Sequence, residues 1–129
     1  MVDTQNDIRI FDRNLLQDKR RRSHENFSEH DFLFTWVKNN LLDRLSVIKR
    51  DFPIKAQLGA RGGALLDDAF ICDLSNAFDA DIQSDEEFLP FAPQSLDLII
   101  SALNLHSVND LPGALLQIKN ALKPDGLFI

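Results

Sequence analysis

Residues Leu96 to Leu103 form a nearly continuous apolar run carrying β-branched Ile99 and Ile100. Such runs mark strands covered on both faces, as in a parallel sheet between helices. The segment after this run narrows the choice. Asp110 can cap a helix whose apolar positions Leu111, Leu115, Ile118 and Leu122 fall on one side. Pro112 sits in its first turn, where a missing N–H is harmless. Residues 123–126 then read as a turn, with Gly126 free to take positive φ, and residues 127–129 begin another strand. Strand, helix, strand in this order is one unit of a parallel α/β sheet.

Two shorter strands are expected upstream, at residues 54–58 and 70–72. Before them the period is helical. Residues 8–22 predict a short charged helix with Ile8, Phe11, Leu15 and Leu16 on its apolar face. A second helix is expected from about Glu29 to Arg50, capped by Ser28, with Leu33, Trp36, Val37, Leu41, Leu45 and Ile48 along one stripe. Pro53 stops it. The fold class is thus α/β, an incomplete Rossmann-like, mostly parallel sheet with an N-terminal helical lead-in. The organisation expected is a lead-in over residues 1–53 and a shortened core over 54–129.

Charge is unevenly divided. Residues 1–61 hold 12 Lys/Arg and 9 Asp/Glu, whereas residues 62–118 hold 10 Asp/Glu and neither Lys nor Arg. Nucleic-acid readers need a basic face, and the run from Lys19 to Arg22 is the one candidate. It reads as a solvated helix face or as a contact for acids, in a partner or in the chain's own second half. No nucleic-acid partner is expected. A single cysteine, Cys72, excludes an internal disulfide and a thiolate zinc site, and fits a reducing compartment. The acidic stretch 1–7 lacks the pattern of a targeting segment, and no apolar run approaches the roughly 20 residues of a membrane span. A cytoplasmic location is expected. No metal site is expected either, since His24 and His30 have no companions at ligand spacing.

Ligands of parallel sheets bind beyond the carboxyl ends of the strands. Gly59 and Gly63 follow the first strand and let the backbone approach a nucleotide; a plain strand-to-helix turn would use them equally. Asp73 ends the second strand and can accept both ribose hydroxyls, or cap the turn before Ser75. It lies 14 residues beyond Gly59, against about 20 in dinucleotide folds. Asp85 and Glu86 begin an acidic loop that can meet an adenine, or be solvated. His106 follows the third strand as a candidate acid or base. Asn104 and Asn109 flank it and serve equally well as turn formers.

Together these residues resemble the class I S-adenosylmethionine-dependent methyltransferase family. The resemblance is carried by Asp85–Phe91, with its Leu89-Pro90-Phe91 loop, and by Leu96–Ile129. Ile10–Leu16, Asp43–Leu45 and Lys49–Pro53 are similar to one branch, the complex I assembly factors described as arginine hydroxylases and their bacterial relatives. Malonyl-carrier-protein methyltransferases are also similar. The resemblance implies S-adenosylmethionine as cofactor, with its methionine end near Gly59 and Gly63, its ribose on Asp73 and its adenine at Asp85 and the backbone of Glu86. His106 would be the catalytic residue. Three departures stand out. Gln57 and Arg61 replace an acid and a glycine of the family's turn. Only 11 residues separate Asp73 from Asp85, too few for a helix and a strand. The family's sheet also continues past the position of Ile129. The expected function is a methyltransferase-like protein of reduced or no activity alone, on an unidentified small-molecule or protein substrate. The alternative is a non-catalytic binding module that uses its helical lead-in. An open sheet edge predicts a homo-oligomer or a protein partner.

Overall fold

The computed structural model describes residues 9–129. The stretch 1–7 and Ile8 lie outside the described residues. Helix α1 (Arg13–Ser23) leads through a 3-10 turn (His24–Glu29) into α2 (Phe32–Ser46). The sheet comes next, with β1 (Lys55–Leu58), β2 (Phe70–Asp73), β3 (Ile82–Gln83) and β4 (Leu96–Ser101). A second 3-10 turn (Leu105–Ser107), α3 (Leu111–Ala121) and β5 (Leu122–Phe128) complete it. The strand order is β3-β2-β1-β4-β5 and every pairing is parallel. The order reverses between β1 and β4, where parallel sheets open a crevice.

Local chemistry explains the elements. Asp12 caps α1 by accepting from the Leu15 N–H, and Arg20, Arg21 and Arg22 complement its C-terminal end. Asp110 caps α3 by accepting from the Gly113 N–H. Ile99 and Ile100 of β4 are fully buried on opposite faces. Burying such a side chain contributes about 1.5–3 kcal/mol. Ile99 packs with Ala56, Leu58, Cys72, Ile118 and Ala121 beneath α3. Ile100 packs with Leu65 and Ala102 beneath Val37 and Leu41 of α2.

Several expectations need correction. Helix α2 begins at Phe32, because Ser28 lies in the 3-10 turn, and it ends at Ser46. Val37, Leu41 and Leu45 of the expected stripe are half-buried and Phe34 joins them, while Leu33 and Trp36 stay exposed. Phe34 is drawn in by edge-on contact with Phe27, which in turn meets Phe78. The run 123–126 is no free turn, since β5 starts at Leu122 and absorbs these residues as a register shift against β4. Gly126 is not among the positive-φ residues; a Cβ there would stand 2.8 Å from that of Leu122, so close packing is its reason. The 11 residues after Asp73 keep a two-residue strand and no helix. The β1–β2 crossover also lacks a helix.

Helix α1 holds the largest surprise. Its inward residues are Arg13, Leu16, Gln17 and Arg20, while Phe11 and Leu15, expected to face the core, are exposed. The surface beneath it explains this, because it is built of carboxylates.

Candidate functional site

The C-terminal ends of β1, β2 and β4 converge on one cluster. Beyond Leu58 the chain turns at Gly59 with φ +94°, and its N–H donates to Cys72 O. Asp73, at the end of β2, has no solvent exposure. Its Oδ2 accepts from the Ala60 N–H at 2.7 Å and its Oδ1 from the Ser75 N–H at 2.8 Å. One carboxylate thus ties the glycine turn to β2 and caps the turn that follows.

Gln57 holds the other side of the glycine turn. Its Nε2 donates to Gly59 O at 2.8 Å and Gly63 O at 2.9 Å, and its Oε1 accepts from the Leu65 N–H at 2.8 Å. A carboxylate could not donate to those two carbonyls, which accounts for an amide where the family has an acid. Arg61 reaches across the crevice mouth to donate to Leu103 O, its guanidinium over the Phe34 ring. Burial and the charge of Arg20 lower its pKa, against the pull of Asp73 and Glu86.

Arg20 fills the centre. At 1% exposure, its Nη1 donates to Glu86 Oε1 at 3.1 Å and lies 3.4 Å from Asp73 Oδ1; its Nη2 donates to Asn104 Oδ1 at 2.9 Å. Asn104 completes the ring by donating to Glu86 Oε1 at 2.7 Å. Arg13 clamps the outer rim, donating to Asp85 Oδ1 at 2.7 Å, to Glu86 Oε2 and to Ser107 O. Burial pushes the Glu86 carboxyl up, but the charge of Arg20, the Asn104 amide and the charge of Arg13 outweigh it and hold it below the usual range. Gln17 donates to Leu74 O, and Asn109 exchanges two hydrogen bonds with the backbone of Phe11.

Of the residues singled out in the sequence, Gly59, Asp73 and Glu86 share this cluster. Gly63 lies on the far side of the turn, with open space where a side chain would project. Asp85 sits one layer outward, caps its own turn through the Glu87 N–H, and lines a hollow of about 590 Å³ with Phe11, Phe88 and Asn109. His106 is exposed in the 3-10 turn after β4. Burial, then Arg61 and Arg20, lower its pKa and favour the neutral imidazole. Burial pushes the Cys72 thiol up to about 11, so it is no nucleophile. Among the described residues no group of His, Cys, Asp and Glu could hold a metal ion, and no helix is long and apolar enough to cross a membrane.

The residues as arranged do not fit S-adenosylmethionine. Asp73 has no solvent exposure and Arg20 lies 3.4 Å from its Oδ1, so no ribose reaches that carboxylate while α1 is docked. A Cβ on Gly59 would stand 2.7 Å from Asn104 Oδ1, so the Asn104 side chain already covers the backbone that the cofactor should touch. Sequence reading missed Arg13 and the amide of Gln57; of the run Lys19–Arg22, Arg20 makes the contact with the chain's own acidic half that was one of its two readings. The signal for the arginines was the charge division, since a cation-free acidic half must find its counter-charges in the other half.

This fold is that of the class I methyltransferases. Residues 67–129 match the methyltransferase domain family. The chain has the fold of an S-adenosylmethionine-dependent methyltransferase from Thermotoga maritima, with a TM-score of 0.66 at 14% identity over 84% of this chain and 57% of that one. A chain of the complex between a Haloferax volcanii methyltransferase activator and its methyltransferase gives 0.60 at 19%, over 86% and 56%. The chain is thus similar to class I S-adenosylmethionine-dependent methyltransferases in fold and over the matched residues 67–129.

The chain is also similar to the mitochondrial arginine-hydroxylase NDUFAF5 of Mus musculus, at 36% identity over 95% of this chain. It spans 41% of that relative's length. The alignment runs over 147 positions, more than the 129 residues of the chain, so the relative carries insertions within the shared region.

Proposed function

We propose that this chain is a methyltransferase-fold domain that binds S-adenosylmethionine weakly at best and works through protein contacts rather than methyl transfer. One observation carries the reading. The carboxylate that would accept a ribose, Asp73, is wholly buried beneath α1, with Arg20 Nη1 3.4 Å from its Oδ1. Gly59, Gly63, Asp73, Asp85 and Glu86 then line a crevice that α1 closes to the cofactor.

The contact surface in this reading is the outer side of the lead-in. Phe32 and Trp36 of α2 are 79% and 64% exposed, with Leu33 beside them. Contiguous exposed apolar side chains mark interaction sites. A protein partner there, in a cytoplasmic setting, belongs to the same proposal, and the free buried Cys72 agrees with a reducing compartment.

Calorimetric titration of the full chain with S-adenosylmethionine tests the reading. The expected dissociation constant is about 1 mM or weaker. Micromolar binding that Asp85→Ala abolishes would overturn it. A second reading, an enzyme with His106 as proton acceptor, is favoured by the exposed imidazole and its lowered pKa. It requires that tight binding.

A further inference from the structure

Helix α1 docks mainly through polar residues. Arg13, Gln17 and Arg20 meet the sheet ends, Leu16 is half-buried, and Leu15 meets solvent. Neither apolar core cluster contains a residue of α1. The helix is held by ion pairs and hydrogen bonds, which water and free ions can replace, and little by apolar burial, which they cannot. Its polar seat is also imperfect. The Nε atoms of Arg13, Arg20 and Arg61 are buried without a protein partner, a standing cost of the docked state.

The chain on either side of α1 suits a hinged element. After it, His24 and Phe27 meet Phe78 edge-on at 4.9 Å and 5.6 Å, which pins the 3-10 turn to the loop after β2. Before it, Phe11 is held by Asn109 in an exposed position. Lifting α1 about its C-terminal end would break polar contacts and leave both apolar clusters closed.

We propose that α1 is a displaceable plug: Arg20 is the crevice's internal ligand, and a ribose-bearing ligand enters by taking its place on Asp73 and Glu86. The inference rests on the proposed function, in which those acids line the cofactor crevice and α1 keeps the cofactor out. Withdrawal of Arg20 leaves two carboxylates and the Asn104 amide facing the ends of β1 and β4, an acceptor-rich seat that suits a diol.

The test is calorimetry with S-adenosylmethionine on the full chain carrying Arg20→Met, with hydrogen exchange alongside. The variant is expected to bind at least about tenfold more tightly than the parent. Amides of Leu15 to Arg22 should lose protection when the ligand is added, while β1 and β4 keep theirs. Arg20→Lys retains a cation between the carboxylates, so it supplies a folded chain if Arg20→Met does not melt cooperatively, and it too should gain affinity. A folded variant that binds no better than a weakly binding parent overturns the plug and leaves the proposed function standing. A parent that binds tightly with α1 fully protected overturns both.

Discussion

Arg20 donates to Glu86 at 3.1 Å across 66 residues of sequence, with almost no solvent on either side chain. The pair fastens the lead-in to the acidic loop of the core. Removing one member of such a pair typically costs about 3–5 kcal/mol, because it strands the other charge.

The pair makes stability depend on acid. The folded Glu86 carboxyl lies below its ordinary value of 4.5. A depressed carboxyl adds stability that is present above the unfolded value and is lost as pH falls through the folded one. The urea midpoint should therefore hold steady above about pH 5 and decline below it. Glu86→Gln should lower the midpoint at neutral pH and flatten the acid decline. Parallel pH profiles for the two proteins would show that the pair does not carry this linkage.

Gln57 should not tolerate its isosteric acid. Gln57→Glu loses both donations to Gly59 and Gly63 and sets a buried carboxylate against two carbonyls. The expected loss is about 3 kcal/mol or more in urea unfolding. A variant as stable as the parent would mean that the glycine turn does not depend on this amide.

The turn's glycines should differ in sensitivity. Gly59 and Gly63 both have positive φ, at +94° and +80°, so alanine strains either backbone. At Gly59 the new Cβ also meets Asn104, which Arg20 and Glu86 hold in place. Gly63→Ala should cost about 1 kcal/mol and Gly59→Ala about 2–3 kcal/mol. Thermal melts of the two variants check the order, and the reverse order would remove Asn104 as the constraint.

Self-association is expected at β5, which forms one edge of the sheet. A hollow of about 770 Å³ lies beside it, lined by Leu115, Ile118, Leu122 and Phe128. Open edges next to apolar surface invite pairing with another chain. Light scattering should give twice the chain mass at high concentration, more completely in salt, which screens the net charge of -6. A monomer under both conditions would contradict this.

Strand β4 and helix α3 were legible because each is specified locally, by an apolar run and by Asp110 with Pro112. The strand-end positions of Gly59 and Asp73 were legible for the same reason. Helix α1 was not. Its apolar periodicity selects the side of Phe11 and Leu15, but carboxylates beneath it select Arg13 and Arg20, and charge outweighs hydropathy there. The roles of Gln57 and Asn104 depend on partners that local patterning does not reveal. Asn104, for example, reads as a turn former until Arg20 and Glu86 are placed around it.

The crossovers from β1 to β2 and from β2 to β3 run without helices. In an ordinary strand–helix–strand unit the connecting helix shelters its own strands as soon as they pair. Here shelter for that face comes from Leu65 and Leu66 of the β1–β2 crossover together with Val37 and Leu41, which precede the strands in the chain. That cluster joins α2, the crossover and β4, so it closes only when contacts over long loops are made. The sheet should appear late and all at once rather than strand by strand.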